Sequence, residues 1–399
     1  MNPSESHDIV APAAILVRMS AIGDTLISTR TQATLRERGY APFLISHLNN
    51  SSLLPCMPSL RGACLFADDG TASFWIAGKS PHGCAQVDKD TFLAVLKEHC
   101  GGSTNNVPVL DLQNTRRSAR AIRTFEHLFG QDVLRFQRYK VAKLTFWRLA
   151  LIVWAYLSLR QWNRRRTPQW LKKQLKPVHE LQKELAARLP QMTITGGQPL
   201  PWQSEPLALP PEALTSVPKG DCIVFLVGAS FRLKSWPREH FRTLLNFILT
   251  RTAAQVVLCG GREDVAVGEY LEFPKSDRVI NKIGKSSLAE TLSLIASARY
   301  VVTGDSFAGH AADLLRTPAS VIFGATHPLL GFAPVGQHVT VHHTELSCSP
   351  CSRHGQGQCR FKNMRCLTEV TPEEVFAKIE FNLRNRSQSL DTARHLADS

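Results

Sequence analysis

The sequence predicts an α/β protein made of two Rossmann-like domains with parallel sheets, facing each other across an interdomain cleft. Three features of the 399-residue chain carry this: short apolar runs that stop at small or polar turns, helical stretches between them, and a proline-rich break near the middle. A chain of this length exceeds one ordinary core and fits two domains of about 150–200 residues.

In the first half, Ala13–Val17 is an apolar run ending at the polar turn Met19–Asp24. Thr25–Arg38 then reads as a helix with Leu26, Ile27 and Leu35 inward and Gly39 at its end, and Ala41–Ser46 restarts as a strand. Val107–Asp111 is a later strand of the same parallel sheet. This gives a first Rossmann-like domain over 13–189. Seven prolines between Pro190 and Pro218 mark a linker over 190–218. The alternation resumes in a second Rossmann-like domain over 219–386. Its strands are Cys222–Val227, Gln255–Cys259, Tyr300–Val302 and Ala319–Phe323, and its helices include Phe241–Leu249 and Ser287–Ser297. Ligands of open parallel sheets bind at the carboxyl ends of strands, so the turns there are the candidate sites.

Composition narrows the function. The first 30 residues show no basic stretch followed by an apolar one, so no secretory signal is expected and the ten cysteines are expected to stay reduced in the cytosol. The net charge of +14 is local: residues 135–176 hold twelve Lys or Arg, no Asp or Glu, and four of the seven tryptophans, Trp147, Trp154, Trp162 and Trp170. The apolar run Leu149–Leu159 in this segment falls short of the roughly 20 residues of a spanning helix. Peripheral contact with an anionic membrane fits it; the plainer alternative is a helical hairpin packed on the first domain. Arg164–Arg166 and the pI of 9.5 raise nucleic acid as a partner, but no recognised binding module accompanies them and no specific nucleic acid is expected.

Candidate chemistry sits in the turns. Gly23 permits a tight turn that projects Asp24, a carboxylate suited to act as general base; its plainer role is to cap the helix from Thr25. After the first strand of the second half, Ser230 and Lys234 offer a hydroxyl and a cation to a phosphate, and Pro237 suits the first turn of the next helix. Glu263 follows Gly260-Gly261 where an acid can bond a ribose hydroxyl. Asp305, Ser306 and His310 lie where a strand gives way to a helix, a place for anionic oxygens.

In this order the motifs resemble glycosyltransferase family 9, the heptosyltransferases. The matching pieces are Ser20-Ala21-Ile22-Gly23-Asp24, Asp111-Leu112-Gln113 with Arg117-Ser118, Lys234-Ser235-Trp236-Pro237 and Gly284-Lys285-Ser286-Ser287-Leu288, then Asp305-Ser306 through His310, and Phe323–Pro328. The resemblance implies the GT-B fold and inverting transfer, without a catalytic metal, from an ADP-activated heptose to a glycolipid or other surface glycan. It implies Asp24 as base, Lys234 and Ser230 on the leaving diphosphate, Gly23, Glu263, Asp305, Ser306 and His310 toward the donor, and Gln113 and Arg117 toward the acceptor. Such an enzyme is expected at the inner face of the cytoplasmic membrane. A protein acceptor such as an adhesin, and a silent sugar-binding relative, are the alternatives; Phe307 stands where the family usually has Gly.

Cys348, Cys351, Cys359 and Cys366 form C-x2-C-x7-C-x6-C. Four thiolates so spaced suit a structural Zn or Fe site, with unligated thiols as the alternative.

Overall fold

The computed structural model describes residues 11–78, 83–100, 107–129, 136–141, 145–158, 167–192, 207–209, 221–271 and 276–397. The chain divides into two units. The first comprises Met1–Lys143 and Val178–Pro210, the second Leu144–Pro177 and Pro211–Ser399.

Among the described residues the first unit holds a seven-stranded sheet ordered β5-β4-β3-β2-β1-β6-β7. Its centre is β1 (Ala13–Arg18), flanked by β2 (Ala41–His47) and β6 (Val107–Asp111), all parallel and almost wholly buried. Strands covered on both faces read as continuous apolar runs, which is why these three were legible. Toward one edge β3 (Gly62–Phe66) stays parallel, while β4 (Ala72–Ala77) and β5 (Cys84–Val87) turn antiparallel; β7 (Phe136–Lys140) closes the other edge.

The first helix, α1, spans Ile22–Glu37, three residues earlier than expected. Its cap position is Ala21, which offers no side-chain bond, so the chain enters the helix without a cap signal. Ser28 and Thr29 return their hydroxyls to the carbonyls of Thr25 and Leu26, which lets polar side chains sit buried inside the unit. After α2 (Lys89–Glu98) and α3 (Arg116–Phe129), the chain leaves the unit and returns as α6 (Val178–Ala187), where Gln182 accepts a bond from Thr31 at 3.1 Å.

Among the described residues the second unit holds six parallel strands ordered β10-β9-β8-β11-β12-β13. These are β8 (Cys222–Leu226), β9 (Gln255–Cys259), β10 (Val279–Asn281), β11 (Tyr300–Gly304), β12 (Ala319–Phe323) and β13 (Val339–His343). Helices α7 (Arg238–Arg251), α8 (Val265–Leu271), α9 (Leu288–Ser297), α10 (Phe307–Leu314), α11 (Arg365–Thr368) and α12 (Pro372–Ala397) follow the strands. One core joins β8, β9 and β11 to Trp236, Phe241, Leu245, Val375 and Phe376.

The segment 135–176 was expected on the first domain. Only its start, β7, belongs there. The helices α4 (Thr145–Ser158) and α5 (Gln169–Gln174) pack with the second unit, burying Leu151, Leu171 and Leu175 against Leu330 in the turn after β12. Arg160, Trp162 and Arg164–Arg166 lie outside the described residues, as does most of the expected linker. Among the described residues no helix is long and apolar enough to cross a membrane.

Candidate functional site

In the first unit the site residues gather at the carboxyl end of β1. Gly23 and Asp24 lie within the first turn of α1, and Gly23 is not among the glycines with positive φ, so helix geometry rather than a tight turn places the carboxylate. Asp24 therefore is not the helix cap. It stands at the positive end of the helix dipole and pairs with Arg18 at 3.0 Å. Arg18, at the end of an otherwise apolar strand, is only 4% exposed and also donates to the Leu112 carbonyl at 2.9 Å, which ties the ends of β1 and β6. Sequence reasoning missed it; the signal was a charge terminating a fully apolar run.

Gln113 is committed locally, its Oε1 accepting the Met19 amide at 2.7 Å. Asp111 is buried and accepts from the amides of Gln113 and Asn114 and from Ser118 Oγ, so it shapes the turn after β6. Arg117 is exposed and reaches Asp68 at 3.3 Å, beside His47, which meets the same carboxylate oxygen at 3.1 Å.

In the second unit Lys234 and Asp305 meet at 3.0 Å between the carboxyl ends of β8 and β11, both largely enclosed. Thr326, after β12, donates to the same Asp305 oxygen at 2.7 Å. Ser306 is the cap of α10, accepting the Ala308 amide and sharing a 2.8 Å bond with Thr303, so the amides of this turn face the strand ends. His310 lies in the first turns of α10, half-buried. Gly304 is required by close approach: a Cβ there would stand 2.2 Å from the Lys234 carbonyl oxygen. The alkyl stem of Lys234 is covered from the other side by Gly355, whose φ is +80° and whose added Cβ would fall 2.3 Å from Lys234 Cγ. A chain of backbone bonds fixes that cover, since Cys351 and Ser352 donate to the Ala325 carbonyl and Ala325 donates to that of Leu233.

Ser230 and Glu263 are exposed. The acid that bridges the two neighbouring strand ends is instead Asp264. It accepts the Gly261 amide at 2.9 Å and lies so close over Gly228 that a Cβ there would meet its carboxylate. Burial pushes the Asp264 carboxyl above its ordinary value.

The four C-terminal cysteines, all free thiols, line one cavity of about 360 Å³ together with Leu233 and Ala325. Burial raises Cys348 and Cys351 and pushes Cys366 up to about 12. Partial burial pushes Cys359 the same way, but amides of Met364, Phe361, Asn363 and Lys362 aimed at its sulfur outweigh that and lower it. Among the described residues no three or more His, Cys, Asp or Glu converge as ligands of one ion.

A family model described as glycosyltransferase family 9 (heptosyltransferase) matches residues 155–364, just over half of the chain. A lipooligosaccharide heptosyltransferase 2 of Haemophilus influenzae is 32% identical over 162 residues, 39% of this chain and 46% of that protein. A lipopolysaccharide heptosyltransferase 2 of Salmonella typhimurium is 32% identical over 167 residues, 39% of this chain and 45% of that protein. The chain thus spans about half the length of the curated relatives it matches. The structure of Escherichia coli ADP-heptose LPS heptosyltransferase II superposes with a TM-score of 0.59 at 19% identity, covering 94% of this chain and 99% of that one. A family 9 glycosyl transferase of Veillonella parvula gives 0.60 at 13% identity, covering 96% and 100%. The fold is the GT-B fold of these proteins, and with the family match covering both halves of the Lys234–Asp305 pair, the chain belongs to glycosyltransferase family 9, the heptosyltransferases.

Proposed function

We propose that this protein is an inverting glycosyltransferase that moves heptose or a related sugar from an ADP-activated donor to an inner-core or other surface glycan. The observation that carries this reading is the enclosed Lys234–Asp305 pair beside the capped start of α10. A cation already held in place neutralises a departing diphosphate without reorganising. The partner Asp305 keeps that cation neutralised until the donor's phosphates replace it. Solved E. coli relatives carry ADP and an ADP-heptose analogue, which supports a nucleotide-sugar donor here.

In this mechanism Asp24 takes the proton of the acceptor hydroxyl as its oxygen attacks the anomeric carbon, and the bond to the diphosphate breaks with its electron pair leaving on the phosphate oxygen. Arg18 holds the Asp24 carboxylate in position through their 3.0 Å ion pair. Ser230, Ser306 and His310 serve the donor, Glu263 or its neighbour Asp264 the ribose, and Gln113 and Arg117 the acceptor. Phe307, the first residue of α10 in place of the family's usual Gly, narrows the approach to the amides of that turn.

Two further parts of the proposal concern surroundings. Phe146, Leu149 and Val153 of α4 and Trp170 of α5 are exposed among basic residues, an arrangement suited to peripheral contact with the anionic inner face of the cytoplasmic membrane. Four thiols around one cavity, with amides on the Cys359 sulfur, are a donor set for a structural Zn or Fe, which the loop would hold only after the cysteines draw together.

The test is to incubate the purified full chain with a panel of nucleotide sugars and follow nucleotide release, with and without a lipid-linked core acceptor. Acceptor-dependent release of ADP from ADP-heptose is expected; no release from any donor would remove the activity.

A further inference from the structure

Asp24 sits on a weak helix start. Between the end of β1 at Arg18 and the start of α1 at Ile22 run only Met19, Ser20 and Ala21. Ala21 supplies no side-chain cap, and Gly23, just before Asp24 in the first turn, is a poor helix former. The local sequence therefore does little to fix where the carboxylate stands.

Neighbouring elements fix it instead. Three backbone groups of this link are each bonded by a side chain that is distant in sequence. The Arg18 carbonyl accepts from Ser46 Oγ of β2 at 2.7 Å, the Met19 amide donates to Gln113 Oε1 after β6 at 2.7 Å, and the Ser20 carbonyl accepts from Asn50 Nδ2 at 2.9 Å. Asn50 lies in the 3-10 helix Leu48–Cys56 that follows β2, and its Nδ2 also donates to Ser46 Oγ at 2.9 Å. The Asn50 amide nitrogen thus uses both of its hydrogens, while the Ser46 hydroxyl donates to one partner and accepts from the other. Ser46 is 0% and Asn50 1% exposed, so bulk water cannot stand in for either.

The bonds reach both strands that flank β1, and they grip the carbonyl of the same Arg18 whose guanidinium meets Asp24 at 3.0 Å. Main chain and side chain of Arg18 are held separately, the first by Ser46 and the second by Asp24 and the Leu112 carbonyl. Ser20, held by Asn50, stands two residues before the helix. We infer that Ser46 and Asn50 are positioning residues for Asp24: buried away from any substrate, they set the place of the carboxylate through Arg18 and Ser20. The inference rests on the reading of Asp24 as the base and deepens it.

The test uses Ser46→Ala and Asn50→Ala in the full chain, each alone and combined with Asp24→Asn. Hydrogen exchange of the 19–24 amides, measured without substrate, should quicken about tenfold, the order of one lost hydrogen bond. The kcat for nucleotide-sugar turnover should fall by about 10–100-fold, as for a base displaced by about 1 Å, while calorimetric ADP affinity stays within about twofold. In the Asp24→Asn background either change should cost less than about threefold, because the group they position is gone. Unchanged exchange, full kcat, an equal loss of ADP affinity, or losses that add fully to that of Asp24→Asn would overturn the positioning role. Should Asn50→Ala fail to fold, Ser46→Ala, which removes one hydroxyl, decides alone. A native protein without turnover, or full activity in Asp24→Asn, removes the enzymatic reading of Asp24, whereas exchange still judges whether Ser46 and Asn50 hold the link.

Discussion

Acid should destabilise the second unit through two buried histidines, by an amount that follows from their surroundings. His327 is 8% exposed, its Nδ1 lone pair is occupied by the Leu329 amide, and burial with His343 and Lys172 nearby lowers it to about 3. His342 bonds Ser320 at 2.9 Å, and burial, with a smaller contribution from Lys378 and His343 against the opposing pull of Glu374, lowers it to about 4. In the unfolded chain both titrate near 6.5. Between these values the unfolded state binds protons that the folded state refuses, so the stability from keeping the rings neutral is complete above about pH 6.5 and is lost as pH falls toward the folded values. From pH 7 to pH 5 each ring accounts for roughly 2 kcal/mol, together about 4 kcal/mol of a total of ~5–15. That corresponds to a fall of about 8–16 °C in Tm for a unit of this size. Thermal melts from pH 7.5 to pH 4.5 should show this slope, and the double variant His327→Asn, His342→Gln, whose amides can keep the Leu329 and Ser320 bonds, should lack most of it. Parallel Tm curves for both proteins between pH 7 and pH 5 would refute the reasoning.

Asp24→Asn should lower turnover by about 10²–10⁴-fold with donor affinity nearly intact, measured by initial rates and by donor titration. Lys234→Ala should weaken ADP and the nucleotide sugar alike, by roughly 10–100-fold in calorimetric titration, since a charge-assisted bond is lost. Gly355→Ala should push the Lys234 stem aside and reduce ADP affinity about tenfold, and should cost clearly less in a Lys234→Ala background, where the clash is gone and only the backbone strain at φ +80° remains; fully additive losses would show that Gly355 does not act through the lysine. If the C-terminal thiols hold metal, protein purified under reducing conditions should carry about one equivalent of Zn or Fe by elemental analysis, and Cys351→Ser should release it and lower Tm.

Much of the framework could be read directly because β1, β8, β9, β11 and β12 are almost wholly buried and present largely apolar runs that stop at a small or polar residue. The edges could not. β5 reads Cys84-Ala85-Gln86-Val87 and β13 reads Val339-Thr340-Val341-His342-His343, too short or too mixed in polarity to stand out from loops. The start of α1 was hidden because Ala21 offers no cap, and the helix buries Thr25, Ser28, Thr29 and Gln32 beside Leu26 and Leu35, so no polar face marks its phase. At the site, Lys234 and Asp305 were legible as separate motif residues. Their pairing, and the roles of Arg18, Thr326, Asp264 and Gly355, depend on contacts between residues far apart in sequence, such as Arg18 with Leu112, which only the folded sheet brings together.

The path of the chain constrains how this protein can be dissected. Because 144–177 belongs to the second unit while 178–210 returns to the first, each half is discontinuous and the backbone passes between them three times. No single cut liberates an intact half. A fragment begun in the proline-rich region would lack α4 and α5, leaving Leu330 and the Phe332 ring uncovered and prone to self-association. A stable second half would need the helical pair restored by fusion, for example by circular permutation. The two halves must also emerge interleaved during synthesis: the strands of the amino-terminal sheet end at Lys140, but the unit gains α6 only after residues 144–177 of its successor have been made.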